Sequence, residues 1–99
     1  MIRHVLLARF RSAEDAQRAQ DRRDALDAME SLRSLPTVQQ FVLGVDRGLS
    51  DAAWDLALMV DVASRDDLDV YLGDPVHQHV VEVTGPLFSE IASVDIEPS

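Results

Sequence analysis

The sequence predicts an α+β fold, a four-stranded antiparallel sheet with helices on one face. Three observations predict it. Residues 2–10 and 54–62 both alternate apolar and polar side chains with the period of two that a strand imposes. Between and after them lie stretches with helix-capping signals and apolar residues spaced by three or four. The chain has 99 residues, enough for one domain over residues 1–99 that buries a single core.

The first strand places Ile2, His4, Leu6, Ala8 and Phe10 on one face and Arg3, Val5, Leu7 and Arg9 on the other. Ser12 followed by Asp15 reads as a capping arrangement opening a helix, polar at first. Its second half collects Ala25, Leu26, Met29 and Leu32 on one side, and Pro36 ends it. Residues 38–45 read as a second strand, closed by Gly44 and the turn at Asp46-Arg47-Gly48. In the third strand, residues 54–62, Trp54, Leu56, Leu58, Val60 and Val62 alternate with Asp55, Ala57, Met59 and Asp61.

Ser64 with Asp67 repeats the capping signal, and Leu68, Tyr71 and Leu72 share a face of the short helix that follows. Gly73 stops it. Asp74 caps a further helix whose first position suits Pro75, since the missing N–H has no partner there anyway. Val76, Val80, Val83, Leu87 and Ile91 form its expected stripe, with a kink or break at Gly85-Pro86. Residues 93–97 suffice for a short last strand. The order strand, helix, strand, strand, helices, strand is the ferredoxin-like arrangement.

Composition narrows the function. With no cysteine, disulfides, thiolate metal sites and a cysteine nucleophile are excluded. All nine basic residues are arginine, which excludes a lysine Schiff base. That usage, with abundant alanine and aspartate, suggests a bacterial coding bias. A net charge of −9 argues against nucleic acid, whose phosphates require a basic face. No apolar run is long enough to cross a bilayer, so no membrane is expected and a cytoplasmic location is. None of the eight serines sits in a nucleophile elbow. Arg18, Arg22 and Arg23 alternate with Asp15, Asp21 and Asp24, which reads as a salt-bridged, solvated face and not as an anion site.

Both faces of the sheet are partly apolar, while the helices cover one. Val5 and Leu7 on strand one, with Ala57 and Met59 on strand three, would leave several hundred Å² of apolar surface open to water. At about 25 cal/mol per Å², burying that face favours association, so a twofold homodimer through the sheets is expected.

Over nearly its whole length the chain resembles the stress-responsive A/B barrel (Dabb) family of dimeric α+β barrels. The opening Ile2-Arg3-His4-Val5-Leu6-Leu7, Phe41-Val42-Leu43-Gly44, Asp55-Leu56-Ala57-Leu58, the Tyr71-x-x-x-Pro75-x-His77 junction and Pro86-Leu87 carry the resemblance. The family usually has histidine where Asp74 stands. The resemblance implies a dimeric barrel and, from one plant member that is a cofactor-free polyketide cyclase, an aldol-type ring closure. It implies an essential role for His77, a supporting strand-one residue in His4 and an assisting Tyr71.

A neutral His77 imidazole can take a proton from a carbon flanked by carbonyls, while His4 and Tyr71 steady the developing enolate. Leu6, Trp54, Val81 and Phe88 are the expected walls of an apolar pocket for a small aromatic or polyketide-like ligand. No cofactor is expected. Nor is a metal, because residues 77 and 79 lie about 200° apart on a helix and cannot share an ion. Two other readings stay open. In one the protein binds a ligand without chemistry, His4 satisfying a core hydrogen bond, His77 capping its helix and Tyr71 packing. In the other it is a cofactor-free monooxygenase acting on phenols.

Overall fold

The computed structural model describes residues 1–98. Its elements are β1 (Ile2–Phe10), α1 (Asp15–Glu30), β2 (Gln40–Val45), β3 (Leu56–Val62), α2 (Arg65–Gly73), α3 (Pro75–Thr84) and β4 (Phe88–Ile96). Short 3₁₀ turns at Ser31–Ser34 and Gly85–Leu87 follow α1 and α3. All strand pairs are antiparallel, in the order β2-β3-β1-β4. The element order and sheet are those of the ferredoxin-like fold expected from the sequence. No described helix is long and apolar enough to cross a membrane.

Register decides which side chains share a face. His4 pairs with Val60 and Asp95, Leu6 with Leu58 and Ser93, and Ala8 with Leu56 and Ile91. These rows face the helices. There Leu56, Leu58, Val60 and Val62 bury against Ala25, Met29, Leu32, Leu68, Tyr71 and Val80. Fully burying a leucine or valine side chain contributes about 1.5–3 kcal/mol, so this layer dominates the fold. On the opposite face Val5, Leu7, Val42, Ala57, Met59, Val94 and Ile96 have no covering layer among the described residues, and Val42 and Val94 are more than half exposed. Arg3 crosses that face to bind Asp61 with two hydrogen bonds of 2.8 and 3.0 Å.

Several boundaries differ from expectation. Glu14 caps α1 in place of Ser12, its carboxylate accepting from the Ala16 and Gln17 amides. A carboxylate beside the helix N-terminus also meets the positive end of the dipole. The Asp21 and Asp24 carboxylates accept from Gln17 and Gln20, and Arg18 reaches Asp55, so the expected alternating ion pairs along α1 are not formed. Val38 belongs to a turn, its amide bonded to the Leu35 carbonyl. Trp54 precedes β3 instead of starting it.

The largest difference is at the end. Pro86 lacks the N–H a helix would need, so α3 stops at Thr84 and the chain turns. Leu87 and Ile91 therefore do not continue the α3 stripe. Val76 and Val83 are exposed, and Val80 and Thr84 form the buried side of α3. The last strand is nine residues long and begins at Phe88.

Candidate functional site

Three of the expected residues come together between the sheet and the helices. The Tyr71 ring lies 4.9 Å from that of His77 and 6.2 Å from that of His4, centroid to centroid. The Leu68–Tyr71 side of α2 turns inward because Ser64 fixes the helix start, accepting from the Asp67 amide. Asp74 then accepts from the Val76 amide and sets the entry of α3. That turn carries His77 onto Tyr71.

Each group has a distinct environment. His4 is buried on β1, and its Nδ1 lies 2.5 Å from Asp95 Oδ1 on β4. Tyr71 is 1 % exposed, and its hydroxyl has no hydrogen-bond partner among the described residues. Burial pushes the phenol well above its ordinary pKa, so it stays protonated. His77 is half-buried, and its pKa is lowered, chiefly by desolvation and next by the nearby His4. A hydrogen bond to the Leu72 carbonyl and the Asp74 charge pull the other way. The net lowering favours the neutral imidazole, the form that can accept a proton.

Beside His77 opens a small cavity of about 60 Å³. Leu6, Leu58, Val80, Val81, Phe88 and Ile91 are among its walls. Leu6, Val81 and Phe88 thus stand where a pocket wall was expected. Tyr71 and His4 are not in the wall; the Tyr71 ring packs on His77, and the His4 ring lies beside Tyr71. Trp54 is elsewhere. It lines an apolar trough of about 390 Å³ on the uncovered sheet face, with Leu7, Val42, Ala57 and Met59, and the Arg9 guanidinium sits 4.5 Å over its ring. His79 is exposed on the far side of α3.

Asp95 is the site residue that the sequence reading missed. It lies in the short strand expected at residues 93–97, but alternation there does not choose a neighbour, and the register of β4 on β1 is what sets Asp95 opposite His4.

Solved structures share this architecture. A dimeric ferredoxin-like protein of unknown function from Thermobifida fusca YX matches with a TM-score of 0.82 at 22% identity, over 96% of this chain and 88% of its own. A dimeric protein of unknown function and ferredoxin-like fold from Bacteroides fragilis NCTC 9343 matches at 0.84 and 19%, over 97% and 94%. An antibiotic biosynthesis monooxygenase matches at 0.77 and 13%, over 100% and 99%. At these identities the likeness is one of fold. No curated protein sequence matches the chain. The family model for the stress responsive A/B barrel domain matches residues 2–98, which takes in His4, Tyr71, His77 and the strand that carries Asp95. The chain belongs to that family, Dabb.

Proposed function

We propose that the protein is a homodimer joined through its open sheet faces, with a cofactor-independent proton-transfer site at His77. The observation that carries the site is Tyr71, a buried hydroxyl without a partner packed against a half-buried neutral imidazole. A buried donor left unpaired costs about 1–3 kcal/mol, a cost characteristic of sites organised for something other than stability. His77 takes a proton from carbon next to a carbonyl, leaving an enolate that closes a ring or is reprotonated. Tyr71 and His4 act from behind it, by keeping water away and holding the imidazole in place.

The ligand enters between α3 and β4, where the helices leave the sheet uncovered and Val81 and Ile91 are exposed. Sites for drug-sized molecules run to several hundred Å³. A cavity of about 60 Å³ holds only the reacting end of an aromatic or polyketide-like molecule, so its remainder lies along Val81 and Ile91. That neither Tyr71 nor His4 reaches the cavity wall favours the second reading, a ligand-binding protein without turnover. The dimer is supported by the uncovered apolar face and by the dimeric relatives of the same fold.

Deuterium exchange at the α-carbon of a simple aryl ketone, followed by NMR, tests the chemistry. Exchange faster than in buffer, lost in His77→Ala with folding intact, is expected. Saturable binding with no exchange would leave the protein a binder.

A further inference from the structure

A second cleft, of about 310 Å³, opens at the other end of β1, between α1 and the loop joining β2 to β3. Phe10, Arg18, Arg22, Asp46, Arg47, Gly48 and Asp55 line it. Three of the nine arginines of a chain with net charge −9 therefore face one concavity. Against them the lining sets two aspartates, Asp46 and Asp55, so the excess is one positive charge, and what matters is which guanidinium groups those carboxylates leave free.

The three guanidinium groups are not equivalent. Arg18 is fixed: it donates to the Ser12 carbonyl at 3.2 Å and to Asp55 Oδ1 at 2.9 Å. Asp55 is itself held, its Oδ2 accepting from the Phe10 amide at 2.8 Å. Asp46 is also engaged, accepting from the Gly48 amide at 2.9 Å. Among the described residues neither Arg22 nor Arg47 has an acidic partner within the 4.0 Å of an ion pair. One helical turn separates Arg22 from Arg18, so the two share a side of α1, and Arg47 enters from the opposite loop.

We propose that this cleft binds a small oxyanion, a carboxylate or phosphate group, clamped between Arg22 and Arg47 with Arg18 as the fixed wall. Planar guanidinium forks match such groups with paired hydrogen bonds. The cleft is separate from the His77 cavity. Phe10 forms part of its wall, Phe88 part of the cavity's, and the two rings pack 5.5 Å apart as a partition.

Inorganic phosphate and, separately, acetate are titrated into the full chain at low ionic strength, reading the Gly48 amide and arginine Nε resonances. Saturable shifts with either anion are expected, phosphate tighter for a phosphate site and acetate tighter for a carboxylate site. Arg22→Ala and Arg47→Ala, both at exposed positions, weaken binding by roughly tenfold each, the scale of one charge-assisted contact. The double variant Arg23→Ala/Arg65→Ala, which changes net charge equally outside the cleft, keeps wild-type binding. Absence of saturable shifts with both anions overturns the proposal, as does equal weakening in the two double variants or no weakening in Arg22→Ala/Arg47→Ala.

Discussion

His4 on β1 and Asp95 on β4 are joined across the sheet, Nδ1 to Oδ1, at 2.5 Å, although 91 positions separate them in the chain. The pair ties the edge strand to the site, since β4 has no helix over it and the His4 ring lies near Tyr71. Asp95→Ala leaves a buried imidazole nitrogen without its acceptor. Because the carboxylate is nearly half exposed, the expected cost is about 1 kcal/mol, measurable by urea denaturation. Unchanged stability and unchanged ring resonances of His4 would show the contact to be incidental.

Tyr71 separates its two contributions cleanly. Tyr71→Phe removes only an unpartnered hydroxyl and should leave stability within about 1 kcal/mol of wild type, or raise it. Tyr71→Ala opens a cavity beneath α2 and should cost about 3–5 kcal/mol. Chemical denaturation of both variants distinguishes a packing ring from a hydroxyl that holds the fold.

Acid should act through His77. Its folded pKa lies below the unfolded value of about 6.5. Between those values the unfolded chain binds the extra proton, so stability falls as pH drops from about 6.5 through the folded pKa and levels off below it. Proton-abstracting activity should fade over the same descent, as the imidazole becomes charged. His77→Gln is expected to flatten this part of the stability profile. A profile identical to wild type would rule out the assignment.

The open face should respond to charge. Val94→Glu and Val42→Arg place ions on more than half-exposed apolar positions of the uncovered sheet. Both are expected to convert a dimer to a folded monomer in analytical ultracentrifugation, with circular dichroism retained. A wild-type chain that sediments as a monomer at micromolar concentration would end the dimer reading.

Legibility in the sequence followed the range of the interactions. β1 and β3 were readable because burial on one face enforces alternation, and α2 because Ser64 caps it within three residues. The long β4 was not, since an edge strand mostly open to water carries Ser89, Glu90, Ser93 and Asp95. Ile91 stood four residues after Leu87 and imitated a helical stripe, although Pro86 had already ended the helix. The meeting of His4, Tyr71 and His77 followed from the family spacing and the expected fold. The His4–Asp95 contact did not, because only strand register brings such distant positions together.

The sheet order has one more result. β4 ends the sheet, so its outer edge pairs with no other strand among the described residues, a template on which a stray strand can grow. Acidic side chains at Glu90 and Asp95 repel such annealing. The carboxylate that steadies a buried imidazole is thus also a guard against fibril-like stacking. Neutralising it should cost colloidal stability at high concentration even where the fold survives.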